Sequence, residues 1–141
     1  METAVLEIFT DGGSRGNPGP AACAFVVVLA GSRIGEGASS LGTLTNNEAE
    51  YQGFLLSLAW LKTHINAQTT KSVSWKLDSK LVVEQLNRRW KIKEPRMRLL
   101  AQNCWSELAT LKLPYTITHV PREQNALADA LLNQTLDNVA Q

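Results

Sequence analysis

Four acidic residues that are remote from one another in the sequence constrain the fold of this chain more than any other feature. Each lies where a predicted strand ends or a predicted helix turns inward, and the set comprises Asp11, Glu50, Asp78 and Asp129. Carboxylates that are brought together repel one another and raise each other's pKa, so a soluble protein has little reason to converge four of them unless a cation binds there. We therefore expect a fold in which these strand ends and helices meet.

The order of the predicted elements favours an α/β fold with one mixed sheet. Apolar and β-branched segments predict five strands, at residues 4–10, 21–29, 33–41, 72–77 and 115–120, with a loop at 39–45. Helical patterns and capping residues predict helices at about 45–64, after residue 79, at 95–111 and at 124–136. Three leading strands favour an antiparallel meander, and the later strand-helix alternation favours parallel strands joined by right-handed crossovers. We predict a five-stranded mixed sheet with helices on both faces.

The size and composition of the chain indicate one soluble domain. The 141 residues, of which 44% are hydrophobic, leave no room for a second core, so we predict a single domain over 1–141 with its core at about 4–136. Cys23 and Cys104 lie in apolar segments and are expected to be buried free thiols. The N-terminus has no positively charged region, and the longest apolar run is about half of a bilayer span. We expect a cytoplasmic monomer with no membrane segment.

The basic residues are concentrated in one part of the chain. Between residues 71 and 98 there are nine basic and three acidic residues, so this segment has a net charge of +6 and the remainder has −5. The overall net charge of +1 therefore conceals a basic face on a mildly acidic body. Such a face is typical either of a solvated helix surface or of a surface that binds a polyanion, and the pattern leaves both interpretations open.

Two of the four acidic residues directly follow predicted strands. Asp11 ends the first strand and precedes Gly12 and Gly13, while Asp78 follows Leu77 at the end of the fourth strand. Each aspartate alone could be a turn-forming or helix-capping residue. If the two strands are neighbours, however, both carboxylates lie at the same edge of the sheet.

The other two acidic residues are predicted to lie on helices. Glu48 and Glu50 are two residues apart and project about 200° from one another, so only one of them can face the sheet. Glu50 shares a helix face with Phe54 and Ser57 and is therefore chosen, whereas Glu48 is expected in solvent, where it favours the helix dipole. Asp129 lies among small and apolar residues, which is unusual for an acid on a free surface.

A divalent cation removes the repulsion that four close carboxylates would cause. Mg²⁺ prefers oxygen ligands and keeps several waters, so a carboxylate cluster suits it. Two such ions about 4 Å apart can activate a water and stabilise the leaving oxygen of a phosphodiester. The cluster therefore indicates a metal-dependent nuclease, with two Mg²⁺ ions as the expected cofactors and Mn²⁺ as a substitute.

Four segments of the chain resemble, in order, the motifs of the type 1 ribonuclease H family. They are DGGSRGNPGP at 11–20, TNNEAEY at 45–51, DS at 78–79 and HVPREQNALAD at 119–129. The resemblance extends from about residue 4 to residue 133. It implies the ribonuclease H-like sheet order 3-2-1-4-5, which would place the first and fourth strands side by side. It also implies hydrolysis of the RNA strand of RNA–DNA hybrids, leaving 3′-hydroxyl and 5′-phosphate ends.

The resemblance also implies roles for individual residues. The family's metal ligands and catalytic acids match the four acidic residues named above. Its groove and phosphate contacts match Asn17, Thr45, Asn46 and Asn47. Their amides and hydroxyls can bind phosphate and sugar without a demand on sequence. The backbone at Gly12 or Gly13 is expected near a ribose 2′-hydroxyl, the group that distinguishes RNA from DNA.

One predicted catalytic position departs from the family pattern. His119 stands ten residues before Asp129, which is the spacing of the family's accessory histidine, a residue that helps protons move or product leave. The family often has a mobile, glycine-containing loop there, whereas this chain has the stiffer pair Val120 and Pro121. His119 could instead be a structural residue at the end of the strand, and Arg122 could take over part of the role of the histidine.

The basic segment resembles a second family feature. Trp90 lies about where the family places a tryptophan that contacts the DNA strand, although packing against the next helix is an alternative. The segment 88–98 is too short for the basic protrusion of many bacterial members. Its absence would weaken hybrid binding and broaden the choice of substrate.

Three functional hypotheses follow from these patterns. The first is an endoribonuclease that acts on RNA–DNA hybrids. The second is a non-catalytic nucleic-acid-binding module on the same fold, against which the complete acidic set argues. The third is an enzyme that also cleaves double-stranded RNA, because both duplexes present 2′-hydroxyls along a wide minor groove.

Overall fold

The computed structural model describes residues 4–65 and 70–139, which form five strands, four α-helices and one 3₁₀ turn. The strands are β1 (Ala4–Ser14), β2 (Gly19–Leu29), β3 (Ser32–Leu44), β4 (Thr70–Leu77) and β5 (Tyr115–His119). The 3₁₀ turn (Arg122–Asn125) precedes the last of the helices, which are α1 (Asn46–His64), α2 (Lys80–Leu86), α3 (Pro95–Ala109) and α4 (Ala126–Val139). No helix in these residues is both long and apolar enough to cross a membrane.

The strands form one mixed sheet in the order β3-β2-β1-β4-β5, as predicted. β1 pairs antiparallel with β2, and β2 pairs antiparallel with β3. β1 pairs parallel with β4, and β4 pairs parallel with β5. Thr10 lies opposite Leu77 in the register of β1 with β4. The residues that follow this pair, Asp11 and Asp78, are therefore neighbours at the C-terminal end of β4.

Two strands are longer than the sequence predicts. The prediction ended β1 at Asp11, but Gly12 and Gly13 continue the antiparallel pairing with β2. The predicted loop at 39–45 is also wrong, because β3 remains paired with β2 up to Leu44. Backbone hydrogen bonding to a partner strand outweighs the preference of glycine and serine for turns here. The other elements lie where the sequence predicts them, with boundaries that differ by no more than three residues.

The sheet has a core on each face, so helices cover both faces as predicted. On one face, α1, α2 and α3 cover a cluster that includes Leu6, Phe25, Phe54, Trp75 and Ala101. On the opposite face, α4 packs Leu132 and Leu136 against Ala22 and Ala24 of β2. Because successive residues of a strand point to opposite faces, β2 contributes to both cores.

Both cysteines are buried free thiols, as predicted. Burial raises the pKa of Cys23 and the pKa of Cys104 to about 12. Both side chains are therefore protonated at neutral pH, and a protonated thiol is a poor nucleophile and a poor metal ligand.

Two glycines allow α1 to lie against β1 at close range. A Cβ atom at Gly12 would lie 2.2 Å from the backbone carbonyl of Ala49, and one at Gly53 would lie 2.7 Å from the carbonyl oxygen of Asp11. Contacts of a Cβ under 3.0 Å essentially do not occur in proteins. Both positions therefore require glycine, and this contact fixes the height of α1 above the sheet.

Replacement of Gly12 by alanine should destabilise the fold. The added methyl group would meet the backbone of Ala49 and Glu50, which cannot move aside as a flexible side chain could. We expect the free energy of unfolding to fall by about 2–4 kcal/mol, as for overpacked core sites. Urea denaturation measures this loss, provided that the dependence of the unfolding free energy on urea concentration stays unchanged.

Gly13→Ala is the matched control for this substitution. A Cβ at Gly13 has its nearest contact at 3.5 Å, with a side-chain atom of Leu132. The control should therefore change the free energy of unfolding by less than about 1 kcal/mol. Equal losses in the two variants would contradict the close contact between α1 and β1.

Candidate active site

Three carboxylates converge where β1, β4 and α1 meet. Asp11 lies in β1, Asp78 directly follows β4, and Glu50 lies near the start of α1. One oxygen of each side chain lies within 4.8 Å of an oxygen of the other two. The parallel pairing of β1 with β4 brings the aspartates together, and the close contact of α1 with β1 brings the glutamate to them. These three residues, which we call the carboxylate triad, could hold a metal ion.

The two glutamates at the start of α1 have different environments. Glu48 is only 7% exposed, so its predicted position in solvent is wrong. Its side chain folds back and accepts hydrogen bonds from the backbone N–H and from the hydroxyl of Thr45, both at 3.1 Å. Thr45 Oγ1 in turn accepts from the backbone N–H of Glu48, which completes a capping box. Glu48 therefore secures the helix start, whereas Glu50 lines the cavity that contains the triad.

Burial and mutual repulsion raise the pKa values within the triad. Asp11 is 4% exposed, and burial, followed by repulsion from Asp78, raises its pKa to about 7. Burial is also the largest cause of the raised pKa of Glu50, which lies well above its ordinary value, and repulsion from Asp11 and Asp78 adds to it. The fully ionised triad is therefore unfavourable at neutral pH unless a cation compensates its charge.

The triad has the donor set of a divalent-cation site. Its ligand atoms are carboxylate oxygens, which Mg²⁺ and Mn²⁺ prefer. Glu50 Oε2 is buried and has no hydrogen-bond partner among the described residues. A buried polar atom without a partner is costly, and a bound cation would supply the missing interaction. Asp11 Oδ1 accepts a hydrogen bond from the backbone N–H of Gly12 at 2.9 Å, which orients its carboxylate. These residues fit a divalent ion.

Asp129 lies apart from the triad but lines the same cavity. It is half-buried in the first turn of α4 and does not belong to the group of oxygens within 4.8 Å. Its negative charge nevertheless contributes to the raised pKa of Asp11. The structure thus brings all four acidic residues to one cavity, three in a tight group and the fourth on the wall.

Neutral polar side chains surround the carboxylates. Those that line the cavity are Ser14, Asn46, Asn47, Ser79 and Asn133. Asn46 connects β1 to α1, because its Oδ1 accepts a hydrogen bond from the backbone N–H of Ser14 at 2.8 Å. Asn17 Oδ1 accepts from the backbone N–H of Asn46 at 3.0 Å. The loop after β1 and the start of α1 therefore hold each other in position beside the triad.

The predicted substrate contacts occupy different positions around this cavity. Asn46 and Asn47 line it, whereas Thr45 caps α1 and Asn17 supports Asn46. Gly12 also lines the cavity, but its α-carbon faces the backbone of α1. Contact with a substrate stays a prediction for all of these residues.

His119 lies in a different groove. It is exposed at the end of β5, and this second groove is also lined by Glu84, Asn87 and Arg89. Among the described residues, those that line the carboxylate cavity do not include His119, but they do include Arg122. The catalytic role of His119 stays a prediction, and its position gives that role no support.

Trp90 lies on the surface of the connection between α2 and α3. Its side chain is 44% exposed, and the ammonium of Lys80 lies 5.9 Å from the centre of its ring. It lines a third groove, which we call the basic groove, together with Arg88, Arg89, Lys91 and Arg98. Residues of α3 also line this groove, and contact of Trp90 with a nucleic-acid strand stays a prediction.

Sequence reasoning missed part of the wall of the carboxylate cavity. Asn133 lines it and donates a hydrogen bond from Nδ2 to the backbone carbonyl of Asp129 at 3.0 Å. Its position four residues after Asp129 is the signal that could have revealed it, because such residues share a helix face. Ser79 was recognised as a helix cap, and its Oγ accepts from the backbone N–H of Val82 at 3.3 Å. Its place on the cavity wall was not predicted, although it directly follows Asp78 in the motif at 78–79.

Comparison with known proteins gives a consistent assignment. A family model described as "Reverse transcriptase-like" matches residues 9–135. Ribonuclease HI of Halobacterium salinarum is 38% identical over 134 residues, which cover 94% of this chain and 65% of that protein. The bifunctional protein Rv2228c of Mycobacterium tuberculosis is 39% identical over 139 residues, which cover 95% of this chain and 36% of that protein. The chain thus spans about a third of the mycobacterial relative and just under two thirds of the halobacterial one.

Solved structures share the fold over nearly the whole chain. The crystal structure of RNase H1 from the halophilic archaeon Halobacterium salinarum has a TM-score of 0.86 and 36% identity, and the match covers 95% of this chain and 98% of that one. LC11-RNase H1 in complex with an RNA/DNA hybrid has a TM-score of 0.91 and 32% identity, over 96% of this chain and 99% of that one. The order of the strands, the family model and these relatives lead to one conclusion: the chain belongs to the ribonuclease H family.

Proposed function

We propose that this domain is an endoribonuclease that hydrolyses the RNA strand of RNA–DNA hybrids and leaves 3′-hydroxyl and 5′-phosphate ends. The observation that carries the proposal is the carboxylate triad, whose oxygens lie within 4.8 Å of one another in a cavity that is open to solvent. A non-catalytic binding module would gain nothing from burying Asp11 and Glu50 at the cost of raised pKa values. The neighbouring structure of LC11-RNase H1 with an RNA/DNA hybrid supports the same class of substrate.

Four side chains would hold the divalent ions that this chemistry requires. They are Asp11, Glu50, Asp78 and Asp129, with two Mg²⁺ ions as the proposed cofactors and Mn²⁺ as a substitute. When bound, such ions supply activation of the attacking water and stabilisation of the leaving oxygen. Asp11 and Glu50 would fix the position of an ion, because the close backbone contact of α1 with β1 leaves the segments that carry them little freedom to move.

The neutral wall of the cavity is suited to hold the nucleic-acid backbone. Asn46 and Asn47 offer amide donors beside the triad, and such groups can bind phosphate or sugar without reading the base. The backbone of Gly12 is the proposed neighbour of the ribose 2′-hydroxyl. Trp90 and the basic groove would contact the other strand through stacking and charge. These positions support a substrate that is recognised by shape.

The preference of the proposed enzyme for an RNA–DNA hybrid over double-stranded RNA depends on the connection between α2 and α3. This connection comprises only residues 87–94, so it has no room for an additional basic helix. We propose that the enzyme also cleaves double-stranded RNA, more slowly than the hybrid, because fewer contacts enforce a DNA strand. The cytoplasmic location and the monomeric state stay predictions from the sequence.

Substitution of the triad should abolish cleavage without abolishing binding. Asp11→Asn and Glu50→Gln each replace a metal ligand by a neutral amide of the same size, so we expect losses of at least about 10³-fold in the cleavage rate of a labelled RNA–DNA hybrid in Mg²⁺. Hybrid affinity, measured by fluorescence anisotropy, should change little, because the amides can still be accommodated beside the duplex.

Glu48→Gln is the matched control for Glu50→Gln. Glu48 is also a buried glutamate of α1, but its side chain caps the helix, and a glutamine can accept the same hydrogen bonds. This control should keep wild-type cleavage within a few-fold. Full activity in Asp11→Asn would defeat the proposal, as would the absence of any cleavage by the wild type in both Mg²⁺ and Mn²⁺.

In the absence of divalent cations, the domain should become less stable as the pH rises from about 4 to about 7. The pKa of Asp11 is raised from 3.8 to about 7 in the folded protein, so the folded state keeps a proton that the unfolded chain has released. Stability is therefore fully present below pH 3.8 and is lost as the pH rises through the folded pKa. One pKa unit corresponds to about 1.4 kcal/mol, so the shift of the Asp11 pKa from 3.8 to about 7 corresponds to a loss of roughly 4 kcal/mol.

Urea denaturation in the presence of a chelator measures this dependence. Asp11→Asn should be more stable than the wild type at pH 7 and should show a smaller dependence on pH, because it lacks the titrating group. Addition of Mg²⁺ at pH 7 should stabilise the wild type and leave Asp11→Asn nearly unchanged. The same pH dependence in both proteins would show that Asp11 is not the group responsible.

Three duplexes of the same sequence distinguish the substrate hypotheses. In one Mg²⁺ buffer, we expect fast cleavage of the RNA–DNA hybrid, slower cleavage of double-stranded RNA and no cleavage of double-stranded DNA, which lacks the 2′-hydroxyl. Initial rates with end-labelled strands provide the measurement. Cleavage of double-stranded DNA at a similar rate would mean that the ribose hydroxyl is not recognised.

A further inference from the structure

A buried hydrogen bond connects α1 to α2 inside the apolar core. The hydroxyl of Tyr51 donates to Gln85 Oε1 at 2.7 Å, and the two residues are 0% and 4% exposed. Such a pair adds little net stability, because both groups lose their hydrogen bonds to water on folding. A hydrogen bond does weaken steeply when its distance or its angle changes. The pair therefore constrains how α1 and α2 lie relative to one another.

The two partners belong to helices that adjoin different carboxylates of the triad. Tyr51 directly follows Glu50 in α1. Gln85 lies in α2, which begins two residues after Asp78. Ser79, the residue between Asp78 and α2, caps this helix with its hydroxyl. No loop separates Asp78 from Gln85, so the hydrogen bond relates the position of Glu50 to that of Asp78.

The close contact of α1 with β1 acts on a different pair of carboxylates. Gly12 and Gly53 fix the distance of α1 from β1 and thereby relate Glu50 to Asp11. The apolar core holds α2 against α1 less exactly, because apolar contacts have no preferred direction and α2 is only seven residues long. Among the described residues, the bond between Tyr51 and Gln85 is the one side-chain hydrogen bond between these helices.

The position of Glu50 depends on its helix to an unusual degree. Its side chain is buried, and Oε2 has no hydrogen-bond partner among the described residues, so no neighbouring group there holds that oxygen in place. Mg²⁺ requires oxygen ligands at about 2.0–2.1 Å in a nearly ideal octahedron. A small shift of α1 relative to α2 would therefore weaken a cation site that uses both Glu50 and Asp78.

We propose that Tyr51 and Gln85 are positioning residues that set the spacing of Glu50 from Asp78 for a divalent cation. This inference rests on the proposed function, since it concerns the ions that the carboxylate triad would hold. Among the described residues, those that line the carboxylate cavity include neither Tyr51 nor Gln85. Their effect is therefore on the affinity for the metal ion, and not on contact with the nucleic acid.

Binding of Mn²⁺ to the domain without nucleic acid tests this role. Tyr51→Phe removes only the hydroxyl and should raise the dissociation constant of Mn²⁺, measured by isothermal titration calorimetry, by about tenfold, at the lower end of the effect of groups that orient metal ligands. The Mg²⁺ concentration that gives half of the maximal hybrid cleavage should rise by a similar factor. The rate at saturating Mg²⁺ should stay within about threefold of the wild type, because the ligands themselves are unchanged.

A double variant separates the spacing of the carboxylates from the stability of the fold. Tyr51→Phe leaves Gln85 Oε1 buried without its partner, which should lower the midpoint of urea denaturation. Combining Tyr51→Phe with Gln85→Met replaces both polar partners by apolar groups of similar shape and should recover much of this midpoint. The affinity for Mn²⁺ should stay as low as in Tyr51→Phe, because the directional contact is still missing.

Ser57→Ala is the matched control for Tyr51→Phe. Ser57 is also buried in α1, and its Oγ accepts a hydrogen bond from the indole N–H of Trp75 at 2.9 Å. It lies about two helical turns from Glu50. Loss of this bond should lower the midpoint of urea denaturation and leave the affinity for Mn²⁺ at the wild-type value.

Three results would overturn the inference. The first is wild-type affinity for Mn²⁺ in Tyr51→Phe. The second is wild-type affinity in the double variant, because the affinity would then follow the stability of the fold and not the hydrogen bond. The third is an equal loss of affinity in Ser57→Ala, which would show that any buried hydrogen bond of α1 has the same effect.

Failure of this inference can be distinguished from failure of the proposed function, because Mn²⁺ binding is measured without a substrate. A wild type that binds Mn²⁺ but cleaves no hybrid in Mg²⁺ or Mn²⁺ would defeat the proposed function alone. A wild type that cleaves the hybrid, together with a Tyr51→Phe variant that has the same metal dependence, would defeat the inference alone. A wild type that binds no Mn²⁺ would defeat the inference as well.

Discussion

The backbone contact between α1 and β1 is the constraint on which the rest of the site depends. Where Gly12 passes Ala49, the strand and the helix approach so closely that no Cβ atom could fit between them. Glu50 directly follows Ala49, so the contact that seats the helix on the sheet also brings its carboxylate to Asp11. The large core on the same face of the sheet keeps α1 in this position. The proximity of the two carboxylates is therefore a consequence of backbone packing.

This arrangement is unfavourable for the protein alone, since burial and repulsion both oppose the ionised carboxylates. A fold can retain such a site only when the surrounding packing outweighs its cost. On α1, Tyr51 and Phe54 are fully buried, and the core residue Trp75 donates a hydrogen bond from its indole N–H to Ser57 Oγ at 2.9 Å. Stability gained from these contacts offsets the strain of the triad, and a bound cation would remove the strain.

The family resemblance, which rests on short local motifs, was sufficient for the sheet order, and the ends of predicted strands and helices marked four acids that the structure brings to one cavity. The sequence was not sufficient where the outcome depends on distant partners. The serines within 39–45 lie in a strand and not in a loop, because their backbone pairs with β2, which is not adjacent to them in the sequence. Glu48 is buried because its side chain bends back to cap the helix, which spacing along a helix does not predict. The spacing of His119 matched the family, but the spacing does not show on which side of the β5 end a side chain emerges, and the structure brings Arg122 to the carboxylates.

Two cations of the basic segment at 71–98 already make contacts within the protein. Arg89 makes two hydrogen bonds with Glu84, and the guanidinium of Arg88 lies 3.8 Å from the ring centre of Trp105. Such contacts hold the side chains in place, so a phosphate bound beside them costs less conformational entropy than one bound by free lysines. They also keep these cations in the basic groove, where they cannot neutralise the carboxylates. The carboxylate cavity and the basic groove are therefore separate surfaces, and among the described residues Arg122 is the one cationic side chain that lines the carboxylate cavity.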